Sequence, residues 1–297
     1  MPPSSHGHLL LASAAAGSVE QDAIEVARAV LAQAGPVEVV MTATPHELDV
    51  ALDACGDRQP VVAGGDGSLH LVVTRLAARG QLGDRPLGLV PLGTGNDLAR
   101  GLCLPLDPAD AARVVLTGTA RPLDLLRDDA GGVVVNAVHV GVGAEAAARA
   151  GRLKPLLGLL AYPLGAVVAG LTSSGWRLRV EVDGAVLSDT HRRTLMVGVG
   201  NGPGIGGGTP LLPGAEPDDG LLDVVVSYAT GPLARMRYGT ALRHGKHLQD
   251  RDVRSARGRS VTISGEPVGI NADGELGEQT TARTWTVQPG AWSLICP

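Results

Sequence analysis

Two short apolar runs that end in glycine constrain this chain more than any other feature. In Val61-Val-Ala-Gly64-Gly65-Asp66-Gly67-Ser68-Leu69-His70 a strand-like run meets three glycines in four positions, and a helical pattern follows at once. Leu89-Val90-Pro91-Leu92-Gly93-Thr94-Gly95-Asn96-Asp97 repeats that succession. Glycine lets backbone come close to an anion without a Cβ in the way. A helix N-terminus adds unpaired N–H groups and a dipole that favours negative charge. A tight turn before a capped helix explains either loop alone, with Asn96 or Asp97 as the cap. It leaves Gly93-Thr94-Gly95 unexplained, and two such loops in neighbouring β-α units converge on one crevice. Thr94 offers a hydroxyl to phosphate. Asp66 cannot itself attract phosphate, so its expected partner is Mg²⁺ or a substrate hydroxyl.

The surrounding pattern is an alternation. Residues 9–12, 37–41, 61–63 and 87–90 read as strands, and residues 19–34, 47–55 and 69–79 as helices, with another helix starting at Asp97. Such alternation implies a doubly wound parallel sheet, which binds ligands where strand C-termini meet helix N-termini. After Asp124 the pattern changes to short Val-rich runs at 133–140, 177–182, 194–199, 221–227, 260–264, 284–287 and 292–295. The pair Asp183-Gly184 between apolar runs signals a two-residue hairpin. At ~100–200 residues per domain, the length also suggests two. The expected division is therefore an α/β nucleotide-binding domain at 1–123 and a mostly antiparallel β domain at 124–297, with a last strand able to return to the first domain.

Composition narrows the function. Glycine supplies 42 of 297 residues, with no G-X-Y period, which excludes collagen. A 44% hydrophobic fraction argues against disorder. With no Phe and only three Trp and three Tyr, a base-stacking surface is disfavoured. The net charge of −5 argues against a general phosphate-backbone binder, so no nucleic acid partner is expected. Cys55, Cys103 and Cys296 are too scattered for a zinc or disulfide framework, which fits a reducing cytoplasm. The N-terminus lacks the charged region of a signal peptide. Residues 155–171 are uncharged but interrupted by prolines and glycines, and read as a buried or interfacial helix. His6 and His8 are weak metal candidates. Residues 235–259 carry eight Lys or Arg against Asp250 and Asp252, a surface suited to anionic membrane or to plain solvation.

The motifs GGDGSLH and PLGTGNDLAR closely resemble the paired signatures of the diacylglycerol kinase catalytic domain superfamily, which includes bacterial soluble lipid kinases, sphingosine kinases and ceramide kinases. The resemblance continues through NGPGIGGGTPLLPGAEPDDGLLDVVV, GKHL, NADGELGE and WTVQPGAWSLICP, in order and over nearly the whole chain. It implies an NAD kinase-like fold with the active site in the cleft between the domains. It also implies an ATP-dependent lipid kinase that moves the γ-phosphate of ATP to a hydroxyl of diacylglycerol or a related lipid. By that resemblance Gly64, Gly65, Asp66, Gly67, Ser68, Leu69 and His70 form the ATP-phosphate loop, and Thr94 is a second nucleotide contact. Glu275 matches the general base of bacterial lipid kinases, while the sphingosine-kinase branch gives that role to the position of Asp66, so the base stays open between the two. Glu216, Asp219 and Leu221 match a Mg²⁺ site, Leu221 through its carbonyl. Peripheral contact with the inner face of the membrane and a homodimer are left open.

There are departures. The family's Asn-Pro-x-Ser-Gly entry motif is here Ser13-Ala14-Ala15-Ala16-Gly17, Ser68 replaces Thr, and His70 replaces Asn or Glu. Thr42 or Thr44 is the candidate for a further nucleotide contact. The remaining alternatives are an NAD kinase-like enzyme, which shares GGDG but lacks PLGTGNDLAR, and a non-catalytic nucleotide- or lipid-binding regulator. No G-x-x-x-x-G-K-[ST] is present, which disfavours a P-loop kinase.

Overall fold

The computed structural model describes residues 7–142 and 174–297; His6 and the apolar stretch at 155–171 lie outside them. The chain divides into two compact units, Met1–Asp124 with Gly290–Pro297 (unit 1) and Leu125–Pro289 (unit 2).

Unit 1 is built on β1 (His8–Ser13), β2 (Val37–Thr42), β3 (Gln59–Gly64) and β4 (Gly88–Pro91). They pair in parallel in the order β2-β1-β3-β4. The intervening helices are α1 (Ser18–Leu31), α2 (Pro45–Asp53) and α3 (Asp66–Ala78), followed by α4 (Asp97–Gly101) and α5 (Pro108–Thr117). β1, β3 and β4 are buried along most of their length, as strands covered by helices on both faces must be. Leu10, Ala12, Val61, Ala63 and Val90 pack against Ile24, Ala27 and Leu31 of α1 and Ala111, Ala112 and Val115 of α5. The expected α/β architecture is present, with two local differences. α3 begins at Asp66, so the glycine loop supplies its first turn. α5 was not anticipated, although Asp107 caps it by accepting from the Ala109 and Asp110 N–H groups at 2.9 and 3.0 Å.

Residues 290–297 add an edge to this sheet. The Leu87 N–H donates to the Ser293 carbonyl and the Ile295 N–H to the Leu87 carbonyl, both at 2.8 Å. The buried Asp124 carboxylate accepts the Gly290 N–H at 2.9 Å, and the Trp292 indole N–H donates to the Asp124 carbonyl at 3.2 Å.

The antiparallel expectation holds in unit 2. One sheet contains β7 (Ala137–Gly141), β10 (Met196–Gly200), β11 (Leu222–Ser227), β12 (Val253–Gly258), β14 (Ile270–Ala272) and β15 (Glu275–Leu276), ordered β12-β11-β10-β7-β14-β15. The other contains β5 (Thr119–Asp128), β6 (Val133–Val134), β8 (Leu178–Val182), β9 (Ala185–Ser188), β13 (Ser260–Val268) and β16 (Thr280–Cys296), ordered β6-β5-β16-β13-β8-β9. Val138, Val197, Val224 and Val226 of the first meet Val180, Val261, Ile263 and Trp285 of the second in one core. Asp183 and Gly184 both have positive φ, 48° and 81°, the geometry of the anticipated two-residue hairpin between β8 and β9. The two strands read at 284–287 and 292–295 are one, β16, which passes through Gly290 at φ 56°. The basic stretch folds as α6 (Pro232–Arg243), a 3₁₀ turn (His247–Gln249) and β12.

His139 of β7 is 6% exposed and points away from the face that carries Val138 and Val140. Its Nδ1 has no hydrogen-bond partner among the described residues. Burial lowers its pKa from 6.5 to about 4. The unfolded chain therefore takes up a proton near pH 6.5 that the folded state refuses. Stability is intact above pH 6.5 and falls as the pH drops towards 4. Burial lowers His8 and His247 too, which steepens the slope in the same direction. Urea unfolding at pH 7 and pH 5 should differ by about 2 kcal/mol from His139 alone. His139→Gln should remove that part of the difference; an unchanged pH dependence would contradict the assignment.

Candidate active site

The two glycine loops of unit 1 meet backbone to backbone. A Cβ placed on Gly93 would lie 2.5 Å from the Gly65 Cα, and one on Gly65 would lie 2.9 Å from the Gly93 Cα. Neither position has room for any other residue, and neither requires a positive φ. The Leu92 N–H donates to the Gly64 carbonyl at 3.0 Å and holds the starts of the two loops together. Asn96 shapes the second loop from within. It sits in the left-handed region (φ 52°), buried, with its Oδ1 accepting the Gly93 N–H at 3.0 Å and its Nδ2 donating to the Gly93 carbonyl at 2.7 Å. Asn96 is thus at the N-cap position of α4 without capping it.

The cap comes from the other loop. Asp66 accepts the Leu98 N–H at 3.3 Å and also the N–H groups of Asn96 and Asp97. Asp66 is half-buried, and burial pushes its carboxyl above the usual range, against those N–H groups and with a further push from Asp97. A carboxylate at a helix N-terminus satisfies donors that would otherwise be orphaned. Its lone pairs are correspondingly committed.

Gly65 offers α3 no side-chain cap, and among the described residues no side chain is seen to accept the N–H groups of its first turn. A Cβ on Gly67 would meet nothing within 4 Å, whereas one on Gly64 would meet the Ser68 Oγ at 2.5 Å. Leu69 and His70 are buried in the helix, with the His70 Nε2 3.4 Å from the Thr74 hydroxyl; their side chains belong to the packing of α3. Thr94 is exposed. Beside α3 lies a cleft of about 250 Å³, lined by Ser13, Thr42, Thr44, Gly67, Ser68 and apolar residues of β1, β3, α2 and α3. Thr44 caps α2 by accepting the Glu47 N–H, and Thr42 donates to the Ala12 carbonyl. In the altered segment 13–17, the Gly17 N–H is taken by the Glu20 carboxylate at 2.9 Å. The start of α1 thus already carries an anion.

In unit 2, Glu275 follows a tight hairpin between β14 and β15, whose turn residues Asp273 and Gly274 have φ 48° and 91°. An Asp-Gly turn is what the sequence suggests. Its anchoring was not legible. The Asp273 carboxylate accepts three successive N–H groups, from Val135, Asn136 and Ala137, at 2.6, 2.9 and 3.0 Å. Asn271 accepts the Gly274 N–H at 3.0 Å. Glu275 is exposed on a hairpin held from below. Asn136 extends the anchor by donating to the Gly204 carbonyl at 2.8 Å, and a Cβ on Gly202 would come within 1.7 Å of the Asn136 Oδ1. The glycine run at 202–208 is therefore packed against Asn136 at its start.

The acidic turn around Glu216, Asp219 and Leu221 is drawn together differently. Asp219 accepts the Leu221 N–H at 2.9 Å beside Gly220 at φ 75°. Arg257 lies directly across the β11–β12 ladder from Asp223 and pairs with both Asp219 and Asp223, the latter at 3.3 Å. Burial raises the Asp223 carboxyl while Arg257 lowers it, and Asp219 and Glu216 raise it further. Among the described residues no group of three or more His, Cys, Asp or Glu is arranged to hold a metal ion. No described helix is long and apolar enough to cross a membrane.

Gly93→Ala should cost about 1–3 kcal/mol in thermal or urea unfolding, since the Gly65 backbone must move. Gly67→Ala, with open space at its Cβ, should cost nothing measurable. Asp273→Ala should cost about 1–3 kcal/mol by orphaning the N–H groups it satisfies.

Residues 7–127 match the family model of the diacylglycerol kinase catalytic domain, and residues 136–296 that of the YegS C-terminal NAD kinase beta sandwich-like domain. A protein named "Probable lipid kinase YegS-like" from Xanthomonas oryzae pv. oryzae is 35% identical over 234 residues, 75% of this chain and 74% of its own length. One of the same name from Pseudomonas aeruginosa is 36% identical over 246 residues, 82% and 78% of the two chains. A crystal structure of a diacylglycerol kinase from Bacillus anthracis aligns with TM-score 0.76 and 24% identity over 98% of this chain and 97% of that one. A second structure from that organism aligns with TM-score 0.79 at 23% identity, over 98% and 95%. At those identities the structures speak to the fold alone.

Proposed function

This chain belongs to the diacylglycerol kinase catalytic-domain family, in its YegS-like lipid kinase branch, and from that premise we propose that it transfers the γ-phosphate of ATP to a hydroxyl of diacylglycerol or a related lipid. The observation that carries this reading is the backbone contact of Gly65 with Gly93. It sets the uncapped first turn of α3 and the Thr94 loop side by side at the C-terminal ends of β3 and β4, next to the cleft. Phosphoryl transfer asks the protein mainly for positioning and charge stabilisation. Uncapped N–H groups at Gly65, Asp66, Gly67 and Ser68 would supply both to a phosphate group. ATP enters as its Mg²⁺ complex, which neutralises charge on the oxygens during transfer. The Ser13–Gly17 segment contributes little to phosphate binding, because the Glu20 carboxylate holds the Gly17 N–H. ATP as donor, with three free cysteines, fits a cytoplasmic protein.

The general base in this reading is Glu275. The lipid hydroxyl attacks the γ-phosphorus, the bond to the β-phosphate oxygen breaks, and the hydroxyl proton passes to the Glu275 carboxylate as ADP leaves. Asp66 fits the part less well, since its oxygens are engaged by the N–H groups at the start of α4. Its role here is to hold the two loops in register. No step passes through the Glu216–Asp219–Leu221 turn, where Arg257 already pairs with Asp219.

Purified protein with Mg-ATP and radiolabelled γ-phosphate should phosphorylate at least one member of a panel of diacylglycerols and related lipids. Transfer to none of them sinks the proposal. Glu275→Gln should lower kcat by roughly 10²–10⁴-fold with ATP affinity unchanged. Gly67→Ala should weaken ATP binding while the protein remains folded.

A further inference from the structure

The basic segment of unit 2 presents a helix that packs on the core through one side, with Tyr238, Ala234 and Leu242. Of the twelve residues of α6 only Tyr238 is buried. Leu233 and Met236, one turn apart, are 80% and 69% exposed. Thr240 and Arg243, also exposed, continue the same stripe at helical spacing. From Ala229 to Gln249 there is no acidic residue, while Arg235, Arg237, Arg243 and Lys246 are basic. The two acids that follow are withdrawn from the surface. Asp250 and Asp252 are both held by Arg237, at 2.6 Å each, and Arg192 adds a second pair to Asp252 at 3.1 Å. What remains outward is apolar at one end of the stripe and cationic at the other.

We propose that α6 is a membrane-docking helix that sets Leu233 and Met236 into an anionic lipid surface while Arg243 and Lys246 contact its headgroups. The charge argues for this occupant. Apolar tips beside cations, without acids, match an interface that is apolar inside and negative at its rim. A second copy of the chain fits less well, because two exposed apolar side chains fall far short of the ~800 Å² per partner that a stable interface buries. The inference rests on the lipid kinase reading, for which an acceptor buried in a bilayer has to be reached from the surface.

The test is co-sedimentation of the full chain with phosphatidylcholine vesicles, with and without roughly 30% phosphatidylglycerol. The protein should bind the anionic vesicles, and Leu233→Ser with Met236→Ser should weaken that binding about tenfold or more. Both sites are exposed, so the thermal midpoint should not move. Arg243→Gln with Lys246→Gln should weaken binding and flatten its dependence on salt. Absence of wild-type binding to anionic vesicles overturns the proposal. So does a Leu233/Met236 variant that binds like wild type, or a lipid-free dimer that this variant dissociates. The same variant should phosphorylate a short-chain diacylglycerol dispersed in water at the wild-type rate. If wild type phosphorylates no lipid of the panel, the kinase reading falls while the vesicle result stands on its own.

Discussion

The approach of Gly65 to Gly93 is the constraint on which unit 1 depends. Two strand-to-helix loops of a parallel sheet pack with their α-carbons in contact, which only glycine at both positions permits. The contact is closed by polar groups from both sides. Asn96 folds back on Gly93, and Asp66 reaches across to the N–H groups of α4. Once these bonds are made, the two loops behave as one surface, and the first turn of α3 keeps N–H groups that no side chain among the described residues is seen to cap.

Unit 2 uses the same device with other residues. A carboxylate in a left-handed turn, Asp273, takes three consecutive backbone donors from the segment that leads into β7. A charge that accepts several N–H groups is a rigid clamp, because leaving buried donors unpaired costs about as much as a helix cap or more. Glu275 gains a fixed position from its neighbour, whose carboxylate anchors the turn before it. Across the β11–β12 ladder, Arg257 is set by strand register to face Asp223 and draws Asp219 in as well. In each case a local turn is held by a residue far away in the chain.

Much of this was legible from residues in order. The alternation of apolar runs in the first half, the Val-rich strands of the second, and the Asp183-Gly184 hairpin each follow from a local rule of period or turn chemistry, and each is found. The glycine loops were legible as loops. Their roles were not equally so. Asp66 reads in the sequence as a group for Mg²⁺ or a substrate hydroxyl, yet its nearest donors are the N–H groups of Asn96, Asp97 and Leu98, about thirty positions on. Asn96 reads as a cap and serves as a brace. Asp273 reads in the sequence as part of an ordinary Asp-Gly turn, and nothing local marks the three distant N–H groups that it accepts.

By itself the sequence determined the order of strands and helices, the family and the glycines at the two junctions, because these depend on neighbours a few residues away. Only the tertiary structure decided which glycines are demanded by contact, which carboxylates are spent on backbone N–H groups and which side of α6 is left uncovered. Those outcomes depend on what strand pairing and helix packing bring together from distant parts of the chain. Gly67 and Gly93 look alike in the sequence; the fold gives one open space and the other a neighbouring backbone.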